Sequence, residues 1–317
     1  MSLRSLLHSY RNGTGFDHPP QARKRATEAA TEKAAWSTVR LNYFVTGILF
    51  SVAFTALSGC QQANYEQEEF SPETIQILTD LQPRQKDVGD YRLYYPANSL
   101  AANDLDTIVQ QLEASKAKVL AILREPQYEL PLNILLVDSR EDMQSLVNLS
   151  NEEFTIPPDR FSILVYDGER NTLFSKALFK NLAVHFWGNP RDRIMFEGGA
   201  NFTQGSCAGV PDPVVTIPAE ARKAGQICSI RDLVFDYSSC STQYPVTTQM
   251  QAASIFQLLY DGFGLDDTKV IWSRGIRNLE RLVGMTPAGL AREWGFIMDN
   301  VTPYEIDLEE LNRTGCR

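Results

Sequence analysis

Histidine is nearly missing from this chain of 317 residues: there are three, and beyond residue 60 only His185 remains. A lone histidine leaves little room for a histidine-built metal centre. There is no C-x-x-C pair of the kind that grips zinc, and no G-x-S-x-G, G-x-x-x-x-G-K-[ST] or dinucleotide fingerprint. Serine hydrolases, P-loop proteins and Rossmann enzymes are therefore unsupported. No apolar run reaches the ~20 residues that a membrane span requires. Basic charge is scarce as well. Past residue 60 there are 23 Lys/Arg against 36 Asp/Glu, a net of −13. Phosphate backbones would be repelled, so nucleic acid is not an expected partner. The acidic residues are scattered in pieces such as Glu66–Glu69 and Asp307–Glu310, which reads as a solvated surface. Internal repeats and low-complexity tracts are absent too.

What is present begins with an apolar run from Tyr43 to Leu57, closed by Leu57-Ser58-Gly59-Cys60. The run is too short to span a bilayer, and Thr46, Ser51 and Thr55 dilute it, so a cleaved signal is the better reading. Leu at −3, small residues at −2 and −1 and Cys at +1 resemble the lipobox of bacterial lipoproteins. That resemblance implies a diacylglycerol thioether on Cys60, cleavage before it and a third acyl chain on the freed amine. Each buried methylene adds about 0.8 kcal/mol of membrane affinity, so two or three chains anchor stably. Gln61 at +2, where Asp would retain the protein at the inner membrane, implies the periplasmic face of the outer membrane. Residues 39–59 are then the signal peptide. The Arg/Ala/Thr-rich segment 1–38 is expected to be a non-structural extension, with translation starting at Val39.

The mature part divides into a lipidated tether and short helix at 60–89, a domain at 90–300 and a tail at 301–317. Ser71-Pro72-Glu73 has the form of an N-cap followed by Pro at the first helical position, predicting a helix to Leu81. Tyr91–Tyr95, Leu132–Val137 and Phe161–Asp167 read as strands. A helix over 103–124 carries Leu105, Ile108, Leu112, Val119 and Leu123 on one face. Ser139 opens another at 140–149. Helical patterns follow at 171–187, 191–204, 246–262, 267–282 and 288–299. The predicted class is α+β: a small strand-helix-strand layer followed by a mainly helical half.

Two of those helices carry Asn181-Leu182-Ala183-Val184-His185 and Phe196-Glu197-Gly198-Gly199-Ala200-Asn201-Phe202. Over residues 90–300 the chain resembles the gluzincin, peptidase MA-like, zinc metallopeptidases. In these, one helix bears H-E-x-x-H and the next supplies a glutamate as third ligand. The resemblance places vestigial ligands at Asn181, His185 and Glu197, with Leu182 at the general-base position. A zinc enzyme needs three protein ligands, an open water position and a base. The expectation is therefore a degenerate domain without catalytic residues, metal or other cofactor, acting in binding or scaffolding toward a peptide or envelope protein. The alternative is an active zinc hydrolase that completes its site with a carboxylate such as Asp192.

Bland roles stand beside these. His185 reads as a packed, hydrogen-bonded histidine, and Glu197 as its partner or that of Arg191 or Arg193. Gly198 and Gly199 read as sites of close helix approach. Gln204-Gly205-Ser206-Cys207 faintly resembles a cysteine-hydrolase elbow with His185 as base. In an exported protein, however, Cys207, Cys228, Cys240 and Cys316 are better read as two disulfides. The pairing expected is Cys207–Cys228, across an irregular proline-containing stretch, and Cys240–Cys316.

Overall fold

The computed structural model describes residues 70–148, 152–168 and 172–316. The extension, the signal peptide, Cys60 and the tether to residue 69 lie outside the described residues. The elements in chain order begin with α1 (Pro72–Leu81), β1 (Arg84–Val88), β2 (Tyr91–Tyr95), α2 (Leu100–Asn103), α3 (Leu105–Leu123) and β3 (Leu132–Val137). Next come α4 (Arg140–Val147), β4 (Glu153–Ile156), β5 (Phe161–Val165), α5 (Thr172–Trp187) and α6 (Arg193–Gln204). The remainder is helical: α7 (Pro213–Ala224), α8 (Ile230–Phe235), α9 (Tyr237–Gln243), α10 (Pro245–Phe263), α11 (Leu265–Arg274), α12 (Leu279–Val283), α13 (Pro287–Asp299) and α14 (Leu308–Thr314). The α+β class stands.

The sheet runs β1-β2-β3-β5-β4, parallel across β2-β3-β5 and antiparallel at both edges. Every residue of β3 and β5 is buried, as befits parallel strands covered on both faces. Side chains alternate between the faces. Ile134, Leu136 and Leu164 join Ile108, Leu112, Val119, Phe174 and Leu178 in the main core. Leu135, Val137, Ile163 and Val165 meet Ile77 of α1 and Met143 of α4 on the other face. Local chemistry sets several boundaries. Ser71, Ser139 and Thr286 each accept a backbone N–H three residues on, satisfying a donor that the helix start leaves free.

Four differences from the sequence reading matter. The edge strands β1 and β4 are additions; each is short and partly exposed, without the apolar alternation that marks a strand. The helix expected over 267–282 breaks at Gly275, whose φ of 89° a helix cannot hold. The stretch expected to be irregular contains α7. Pro213 sits in its first turn, where a missing N–H costs nothing, while Val214, Ile217 and Ala221 pack into a second core and Val215 and Ala219 into the first. The tail carries α14, and its Leu308 and Leu311 enter the second core beside Cys207.

That second core corrects the disulfides. Cys207 bonds Cys316, and Cys228 bonds Cys240. Cys207 and Cys316 meet because α14 folds back against the chain that leaves α6. Helix α10 holds the other pair: Gln251 Nε2 donates to the Cys228 carbonyl at 2.8 Å, and Thr248 Oγ1 to that of Cys240 at 2.9 Å.

Candidate functional site

Helix α5 is buried from Leu173 to Ala183, so its polar residues must find partners inside the protein. Leu182 is fully buried in the main core. Asn181 faces β5, donating from Nδ2 to Ser162 Oγ at 2.9 Å and to the Ala177 carbonyl at 3.4 Å. His185 emerges at the end of the helix and is exposed, its ring edge-on to Tyr128 at 5.0 Å and to Phe186 at 4.8 Å. This corrects the expectation of a packed, hydrogen-bonded histidine.

Glu197 on α6 turns to neither His185 nor Arg191 nor Arg193. Its partner is Lys180, whose Nζ lies 3.1 Å from Glu197 Oε2 and 2.8 Å from Glu153 Oε2 on β4. Lys176, one turn earlier on α5, lies 3.8 Å from the same Glu153 oxygen and 3.4 Å from Gln249 Oε1 of α10. Thr155 Oγ1 donates to Glu153 Oε1. Two ammonium groups and two carboxylates thus form a buried cluster where β4, α5, α6 and α10 meet. Tyr237 on α9 flanks it, fully buried, its phenol pushed upward first by burial and then by the charge of Glu197.

The electrostatics are mutual. Burial would raise the Glu153 pKa, but Lys180, then Lys176, and hydrogen bonds from Lys180 and Thr155 outweigh it and hold the carboxyl below 4.5. Burial would likewise lower Lys180, yet Glu153 and Glu197 together raise it above 10.5. Lys176 is the unequal member. Burial lowers it, and Glu153 at longer range does not compensate.

Asn181, His185 and Glu197 are therefore not brought together, and these residues do not fit a zinc ion. The first spends its amide on Ser162, the second points outward, and the third is held by an ammonium group. Among the described residues no group of three His, Cys, Asp or Glu is placed to hold a metal. Asp192, the carboxylate of the alternative site, accepts the Ile276 N–H at 2.6 Å. Cys207, being in a disulfide, has no thiol with which to act as a nucleophile. Helix α6 is close-packed against both neighbours: a Cβ at Gly198 would lie 2.5 Å from the Ala252 carbonyl oxygen of α10, and one at Gly199 would strike the Phe179 ring of α5.

Sequence reasoning missed Lys176, Lys180 and Glu153. The signal was two lysines at i and i+4 inside a helix apolar on every other side, since buried ammonium groups demand carboxylates. Glu153 could not be singled out, because β4 itself was not read as a strand. Comparison of the chain with protein-family models, with curated proteins and with solved structures finds no match.

Proposed function

We propose that this chain is a membrane-tethered lipoprotein of the bacterial envelope whose zinc-peptidase-like helix pair serves binding or scaffolding and not hydrolysis. The observation that carries the second half is Lys180. Its ammonium group lies between Glu153 and Glu197, so the carboxylate a metal would need is already neutralised. The general-base position, Leu182, is in the core and accepts no proton. The tether is supported by Leu57-Ser58-Gly59-Cys60 after a short apolar run. No described helix is long and apolar enough to cross a membrane.

Labelling with palmitate and metal analysis test the two halves. The chain should take up label, and Cys60→Ser should abolish both the labelling and the membrane retention that survives high salt. Purified protein should hold substoichiometric zinc and cleave neither casein nor peptide libraries. Stoichiometric zinc with chelator-sensitive proteolysis, lost in both His185→Ala and Glu197→Ala, would overturn the non-hydrolytic reading.

A further inference from the structure

Ten basic side chains of the described region form ion pairs: Lys86, Arg92, Lys116, Arg140, Lys176, Lys180, Arg222, Lys223, Lys269 and Arg313. One part of the surface gathers arginines that do not. Arg191, Arg193, Arg231, Arg274, Arg277 and Arg281 are all exposed, and none forms an ion pair with a described residue. They converge where the start of α6, helices α8 and α9, and the α11–α12 junction meet. Arg191 N donates to the Trp272 carbonyl at 2.8 Å. Arg193 reaches Ser238 Oγ at 3.1 Å and lies over the Tyr237 ring at 5.4 Å. Arg277 donates to the Val234 carbonyl at 3.3 Å and stacks on Phe235, 3.8 Å from the ring centroid.

Phe235 is 62% exposed, the most exposed large apolar side chain among the described residues. Arg231 sits four residues before it on α8, on the same helix face. Four carboxylates lie among the six arginines, so the face keeps only an excess of basic residues: Asp192 accepts the Ile276 N–H, Asp236 the Ser239 N–H and Asp232 the Ser229 hydroxyl, and Glu280 adjoins Arg281 in the chain.

We propose that this face docks on an anionic lipid bilayer, with the arginines against headgroup phosphates and Phe235 entering the interface. Two observations select that occupant. In a mature chain of net −13, six exposed arginines outside any ion pair, gathered on one face, suit a negatively charged partner. The exposed Phe235, stacked against Arg277, adds an apolar anchor that a soluble anion would not use. The proposal rests on the reading of the chain as membrane-tethered and assigns that tethered domain a face. An acyl anchor is not needed for the contact itself.

The test uses the full chain carrying Cys60→Ser, so that no acyl anchor forms. Hydrogen–deuterium exchange is followed on vesicles of phosphatidylglycerol and phosphatidylcholine and on vesicles of phosphatidylcholine alone. Peptides covering 230–238 and 273–282 should exchange at least about threefold more slowly on the anionic vesicles only, and about 0.5 M salt should remove the effect. In Arg231→Ala/Arg277→Ala the protection should vanish, because each surface arginine is worth about fivefold in partitioning. Exchange across 132–137 should stay unchanged and reports that the variant is folded. Equal exchange on both vesicles, or anionic protection that survives in the variant, overturns the proposal. So does protection by soluble polyphosphate without protection by vesicles. Loss of palmitate labelling in the wild-type chain would overturn the lipid anchor and leave this result standing.

Discussion

Replacing Lys180 with Met removes the ammonium group from the buried cluster while keeping much of the side-chain volume. At 2.8 and 3.1 Å, and an effective dielectric of about 20, its attractions to Glu153 and Glu197 are about 6 and 5 kcal/mol. Desolvation of the three ions offsets much of that sum. What the substitution costs is set by the carboxylates left behind, and stranding a buried charge typically costs about 3–5 kcal/mol. Glu153, almost wholly buried, would keep only Lys176 at 3.8 Å and the Thr155 hydroxyl.

The pH dependence separates this mechanism from simple loss of packing. In the wild type the folded pKa of Glu153 lies below its unfolded value of 4.5. Its contribution is therefore complete above that value and lost as pH falls through the depressed one. Lys180, raised above 10.5, contributes fully below that value and loses its contribution as pH climbs past the raised one. Lys176 works in the opposite sense: it is lowered, so its charged form subtracts from stability at neutral pH. In Lys180→Met, Glu153 loses the largest influence that offsets its burial, so its pKa rises relative to the wild type and protonation would relieve the variant as the pH drops. Guanidinium unfolding followed by far-UV circular dichroism, with disulfides intact, should show a cost of about 3–5 kcal/mol near pH 8 that shrinks toward pH 5. A cost under about 1 kcal/mol, or one independent of pH, would refute the account of a charge stranded in the interior.

Gly199→Ala should destabilise by about 1–3 kcal/mol or more, because the new Cβ runs into the Phe179 ring where α5, α6 and α10 pack; thermal unfolding measures it, and a neutral result would mean a looser helix pair. Non-reducing peptide mapping should recover Cys207 joined to Cys316 and Cys228 joined to Cys240, and no other pairing. Opening the first pair with Cys316→Ser should cost more than opening the second with Cys228→Ser, since the chain-entropy model gives about 4.8 kcal/mol for the 109-residue separation and about 2.8 for the 12-residue one.

Local signals in the sequence were enough to place most of the architecture. A serine or threonine before a helix start acts within one turn, and the apolar spacing of α3 acts within a few. Ser71, Ser139, Thr286 and the stripe of Ile108, Leu112 and Val119 therefore located their helices before any packing was known. Leu132–Val137 and Phe161–Asp167 likewise read as strands, but that both faces of β3 and β5 are covered came only from the packing. Four cysteines in a chain read as exported implied two bridges, but spacing along the chain could not choose partners, because α14 returns Cys316 to Cys207 only through the second core. The candidate site divides in the same way. The resemblance to a zinc-peptidase helix pair drew the eye to Asn181, His185 and Glu197, which share a motif but not a partner. The groups that do meet, Lys176, Lys180, Glu153 and Glu197, come from one helix, an edge strand and a second helix. Only tertiary packing makes them neighbours, because burial of α5 on every side forbids an unpaired ammonium group and β4 and α6 are the elements that reach it with carboxylates.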